Sequence, residues 1–159
     1  SPPPASGRRS SIDQLNRRFT LQLSVVQVGT SVEFPNSDNV RHHVYSFSPA
    51  KSFDLKLYAG RGAPPVTFDR PGLVVLGCNI HDSMVGFIIV TPSPHFALTA
   101  ANGRATLDVP PGRYTLRVWG QALEAAPPRR ALVVGAAPQS EAVTARASSQ
   151  PDQVPAWED

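Results

Sequence analysis

From Thr20 to Tyr58 short stretches alternate apolar and polar positions with a period of two, and no helical period takes over as far as Val90. Thr20 to Gly29 alternates with one slip at Val25-Val26, which predicts a strand carrying a bulge. Gly29-Thr30 turns the chain into a short strand over 31–34, and Pro35 to Asn39 is a polar turn cluster. Val40 to Phe47 alternates again and is rich in β-branched and aromatic residues. After a break at Ser48-Pro49-Ala50, Phe53, Leu55 and Leu57 stand against Asp54 and Lys56, predicting a strand to Tyr58 with those three side chains on one face. Residues 60–65 read as a loop, 66–68 as a short strand, and Pro71-Gly72 as a turn. Leu73 to Leu76 and Gly86 to Val90 are apolar runs of the kind found in buried strands. Short strands at close spacing, with turn signals between them, predict an all-β chain: an antiparallel β-sandwich or barrel.

The pattern weakens at both ends. Residues 1–19 read as a leader, with 1–11 rich in Pro, Ser and Arg and expected to be disordered, and 12–19 a short helix or an incoming strand. Pro92-Ser93-Pro94 marks a boundary after a first domain over 20–91. Beyond it, 96–99, 104–109, 113–119, 131–134 and 141–145 read as short strands of a second module over 92–146, with turns at Asn102-Gly103 and Pro110-Pro111-Gly112. The polar, Pro-containing stretch 147–159 is expected to be a disordered tail.

Composition changes this picture little. The 159 residues are 41% hydrophobic and 17% charged, enough to bury a core, and 17 prolines with 11 glycines agree with many turns. The net charge of +3 comes mainly from Arg8, Arg9, Arg17, Arg18, Arg129 and Arg130, whereas charges between Leu21 and Thr91 cancel. These arginine pairs read as solvated surface. No basic run interleaved with aromatics points to nucleic acid, and no apolar stretch approaches the roughly 20 residues of a membrane helix. The chain opens on Ser1-Pro2-Pro3-Pro4 with no initiator methionine, so a removed signal peptide is expected upstream. The single cysteine excludes an intrachain disulfide.

That cysteine carries the chemistry. Cys78, His81 and Met84, the only Cys and the only Met, stand in the spacing Cys-x2-His-x2-Met. A thiolate, an imidazole and a thioether form a soft donor set that suits copper; a trigonal His2Cys site with a weak axial Met is a blue-copper centre. Each residue also has a plainer reading: Cys78 as an inert core thiol, Met84 as core filler. One donor is missing, a second histidine. His42 and His43 are adjacent in a strand and therefore point to opposite faces. His95 has no partner set and reads as surface.

His42-His43-Val44, followed by Cys78-x2-His81-x2-Met84-x-Gly86 and an Ile/Val strand, resembles the cupredoxin family, with a loop spacing similar to its amicyanin-like members. The stretch from Val28 to Val90 is similar to the plastocyanin-like domains of methylamine-utilisation proteins, in which His-His-Val-Tyr-Ser and Gly-Cys-Asn-Ile-His-Asp recur. The resemblance covers roughly residues 20 to 91 and implies a Greek-key β-sandwich holding one copper ion in a type 1 site. It implies His42, Cys78, His81 and Met84 as ligands, His42 preferred over His43 because the family places the ligand first. His43, Asn36 and Asn79 would support the ligands, Asn36 and Asp38 fixing the turn before His42. It further implies transient redox partner proteins, a periplasmic location, and a carrier of single electrons, not an enzyme. A copper-handling protein, or a cupredoxin-fold binding module, is the alternative. Residues 92–146, through Asn102-Gly103, Val109-Pro-Pro-Gly112-x-Tyr114 and Trp119, resemble the carboxypeptidase regulatory-like (transthyretin-like) β-sandwich module, a likeness that implies fold and no chemistry.

Overall fold

A computed structural model describes residues 7–78, 84–150 and 153–157, Cys78 by its backbone alone. The chain divides into two compact units, Ser1–Leu98 and Thr99–Asp159. Among the described residues there is no helix.

The first unit is a β-sandwich. One sheet has three strands in the order β1 (Arg9–Ser11), β5 (Thr30–Glu33), β8 (Val66–Phe68). The other has five, in the order β4 (Leu23–Gln27), β10 (Val85–Thr91), β9 (Gly72–Cys78), β6 (His42–Ser48), β7 (Lys51–Tyr58). A small hairpin, β2 (Gln14–Leu15) and β3 (Arg18–Phe19), completes it. Val32, Val66 and Phe68 from the first sheet meet Val26, Val44, Val74, Leu76, Ile88 and Val90 from the second, and this buried cluster is the core. Alternation supplies one such face on β5, β6 and β8, whereas β10 is buried at both parities, in keeping with its continuous apolar run.

Several details differ from the expected ones. Two strand pairs are parallel, β4 with β10 and β1 with β5; alternation defines faces and leaves the partner open. The slip at Val25-Val26 is no bulge, because β4 pairs with β10 in unbroken register from Leu23 to Gln27. Leu23 and Val25 alternate with the buried Ser24 and Val26, so β4 has apolar side chains at positions of both parities. The irregularity falls instead in the β6–β7 pair, where His42 opposes Tyr58 but Val44 opposes Leu55. Lys56 and Leu57 thus share the place of one residue, which turns Leu57 outward, 51% exposed, and Tyr58 inward. Residues expected in the leader form β1, β2 and β3, with Ile12 and Phe19 in the core. Residues 92–98 belong with the first unit, where Gln27 Nε2 donates to Pro92 O and Ser93 caps its own turn.

In the second unit β11 (Gly112–Leu116) and β12 (Arg130–Val134) form an antiparallel hairpin. The expected strands over 96–99, 104–109 and 141–145 are absent, and a transthyretin-like sandwich is not made out among the described residues. Pro155 alone is buried among the described residues of this unit, so there is little apolar interior for two sheets to enclose. Described parts of the expected tail are held. Ala147 bridges Leu123, Trp119 Nε1 donates to Pro155 O (3.0 Å), and the Arg117 guanidinium lies 3.6 Å over the Trp157 ring.

Candidate metal centre

The five-stranded sheet brings three of the four expected ligand positions to one end. β6 begins at His42; β9 ends at Cys78, which pairs with Val44; Met84 immediately precedes β10, whose first residue Val85 pairs with Gly77. The fourth, His81, lies outside the described residues, as does Asn79.

His42 is completely buried, and Val44 and Ser46, at the same parity on β6, are buried with it. His43 has the opposite parity: its Nε2 pairs with Asp54 of β7, and its ring meets Tyr45 edge-on at 6.1 Å. Met84 is 1% exposed and belongs to the core cluster. The bulge in β7 lies directly opposite His43, beside His42, and lets Tyr58 turn inward against the strand that carries both histidines.

His42 Nε2 lies 3.0 Å from Asp38 Oδ2. The same oxygen accepts the Arg17 N–H at 2.7 Å, and Asp38 Oδ1 accepts the Asn39 N–H. The His42 hydrogen bond first, then the Arg17 amide, hold the Asp38 carboxyl below its ordinary range against the opposing effect of burial. An ionised carboxylate only accepts, so Nε2 of His42 carries the hydrogen. In the neutral ring Nδ1 then holds the lone pair.

Asn36, expected to fix the turn, lies in the loop before His42. It is buried; Nδ2 donates to Val40 O (2.8 Å) and Tyr58 O (3.0 Å), and Oδ1 accepts from Asp38 N (3.0 Å). Its backbone exchanges hydrogen bonds with Gly60. Gly77 has a separate constraint: a Cβ there would stand 2.8 Å from Cζ and the hydroxyl of Tyr45, so only glycine lets that ring lie across the strand next to Cys78. Pro64 and Pro65 are exposed in the loop before β8, and His95 donates its amide to Ser93 Oγ.

Two features escaped the sequence reading: the carboxylate on His42 and the N-terminal hairpin that reaches it. The spacing Asp38-x3-His42 is visible in the sequence, but the hairpin's approach is a tertiary fact. Among the described residues no three His, Cys, Asp or Glu side chains cluster. The donor chemistry nonetheless fits a soft metal: a buried imidazole with its Nε2–H already bound, and a buried thioether, flank the strand end that carries the only cysteine.

No family model matches the chain, and no curated protein does. Over about half of its length it is similar to solved cupredoxin structures. The purple cupredoxin of Nitrosopumilus maritimus is 20% identical over 52% of this chain and 99% of its own, with a TM-score of 0.46. A variant of amicyanin in its reduced Cu(I) form is 21% identical over 54% of this chain and 84% of its own, with a TM-score of 0.47. The copper-containing nitrite reductase of Thermus scotoductus SA-01 is 26% identical over 50% of this chain, with a TM-score of 0.47; the chain spans 21% of that protein's length.

Proposed function

We propose that the first unit is a type 1 copper protein that carries single electrons between partner proteins, with His42, Cys78, His81 and Met84 as ligands. The observation that carries this reading is the buried His42, its Nε2–H bound to Asp38, at the sheet end where β9 delivers Cys78 and Met84 immediately precedes β10. Bound copper would supply a one-electron couple. The protein's part is to hold the donors still: His42 by a carboxylate and a strand, Met84 by the core, Cys78 by pairing to β6. A frame built into a sheet before metal arrives limits rearrangement on gain or loss of an electron. Four protein donors leave no open position for a substrate, which favours a carrier over an enzyme. His43, paired with Asp54 on the other face, serves β6–β7 and not the metal. A periplasmic location belongs to the same reading; no helix among the described residues is long and apolar enough to cross a membrane.

Copper(II) added to the purified protein is expected to give an intense visible thiolate charge-transfer band and a reversible one-electron couple. Cys78→Ser should abolish the band with the fold intact by circular dichroism. A stoichiometric copper complex that lacks this band, or survives Cys78→Ser unchanged, overturns the proposal.

A further inference from the structure

The small N-terminal hairpin converges on the loop that carries His42. Its two-residue turn, Asn16-Arg17, has φ of 54° and 58° at residues that are not glycine, the left-handed pair of a type I′ turn. That turn directs the Arg17 amide onto Asp38 Oδ2, the oxygen that also receives His42 Nε2. At the base of the hairpin Asp13 grips the same loop: Oδ1 accepts the Ser37 N–H (3.0 Å) and Oδ2 the Ser37 hydroxyl (2.6 Å). Gln14 adds a backbone bridge to Asn36, while its buried side chain donates to the hydroxyl of Tyr58 (2.7 Å), the residue paired with His42 across β6–β7. The far strand places Phe19 against Gly86, two residues past Met84; a Cβ on Gly86 would lie 3.1 Å from that ring.

We propose that the β2–β3 hairpin is a positioning clamp for His42: the Arg17 N–H fixes Asp38, and Asp38 holds the imidazole as its Nε2–H tautomer in one orientation. Asp38 is a positioning residue; it acts through His42. A carboxylate accepting one hydrogen bond from a rigid turn and one from a ring cannot rotate without breaking both, so the turn's geometry is transmitted to the ring. The side chain of Arg17 takes no part in this; the backbone conformation does.

The inference rests on the copper reading for its purpose, but its test does not need copper. In the metal-free full chain, the ring nitrogen shifts of His42 in long-range 1H–15N spectra report the tautomer directly. The parent is expected to show a single Nε2–H form, and the Arg17 amide to be protected from hydrogen exchange. Arg17→Val puts a β-branched residue at a left-handed φ and should open the turn. Arg18→Val, one position on in an extended and exposed strand, should change nothing. Asp38→Asn keeps the shape and removes the charge. Arg17→Val and Asp38→Asn are expected to give mixed tautomers, and Asp38→Asn to speed exchange of the Arg17 amide. In copper-loaded protein they should lower metal affinity by roughly 10- to 100-fold. A single unaltered Nε2–H tautomer in Asp38→Asn, or equal effects of Arg17→Val and Arg18→Val, overturns the clamp. If Arg17→Val does not fold, Asp38→Asn and the exchange measurement decide. A copper-free tautomer result as expected, with no coloured copper form, would instead sink the electron-carrier reading and leave the clamp standing.

Discussion

His42 and His43 are neighbours with opposite surroundings, one sealed in the core against Asp38 and one at the surface against Asp54. A strand separates adjacent side chains in this way, and that much was legible from alternation alone. Asp13 supports the same loop and carries a testable charge. Burial raises the pKa of its carboxyl, but the hydroxyl of Ser37, the amides of Gln14 and Ser37, and the Arg61 charge together outweigh that and lower it. The folded carboxyl therefore binds its proton more weakly than the unfolded one. Its stabilisation is complete above the ordinary aspartate range and is lost as pH falls through the depressed folded value. Asp13→Asn, a mimic of the protonated form, is expected to cost about 1 kcal/mol at neutral pH, discounted for the partly exposed site. Denaturation curves of parent and variant should converge in acid; a gap that stays constant with pH would refute this account. What the sequence could not show here is convergence. Asp13 and Arg17 lie in one stretch and Asp38 and His42 in another, and only the folded hairpin brings the two together.

Among the elements, the central strands were readable because their apolar residues recur at the pleat's own period. The places where reading failed are those where a strand departs from that period or serves both faces. β7 looked regular through Leu57, yet the extra residue at Lys56-Leu57 reverses the last two side chains. β4 looked bulged and is regular. The hairpin β2–β3 was hidden because its four strand residues are too few for any period, and its turn uses Asn-Arg in place of a glycine signal. At Pro71-Gly72, read as a turn, the structure instead begins β9, with Gly72 already paired to Val90. Gly72 has φ 143°, and a Cβ there would meet the Ala50 Cβ at 2.9 Å. Gly72→Ala should destabilise the first unit by roughly 1–3 kcal/mol through backbone strain and this clash. Adding Ala50→Gly should recover only the part due to the clash. Full recovery in a double-mutant cycle would show that the backbone conformation is not strained.

For the molecule as a whole, every residue of the core cluster lies between Ile12 and Val90. The first unit thus owns an apolar interior from both sheets, while the second, as far as it is described, has a hairpin and a few polar ties. The sequence presented them as two β-modules of similar standing, because alternation persists past Pro94 whether or not a second layer exists to bury it. A fragment of residues 1–98 is expected to fold cooperatively, with dispersed amide resonances and the same His42 tautomer as the full chain. A fragment that stays unfolded under conditions where the full chain is native would show that the unit boundary is not a folding boundary.

The parallel pairing of β4 with β10 has a kinetic consequence. It joins Leu23 to Phe87, so nearly the whole first unit must be looped out before that pair can form. Contacts so distant in sequence carry a loop-closure cost ahead of any reward, and folds dominated by them form slowly. Cys78 and Met84 flank the β9–β10 connection, while His42 enters from β6, so the donor end cannot be assembled by any local segment of the chain. Under the copper reading, Cys78, His81 and Met84 already share one short segment of a nascent chain, and it is closure of the sheet, through β6, that would add His42 and complete the donor set.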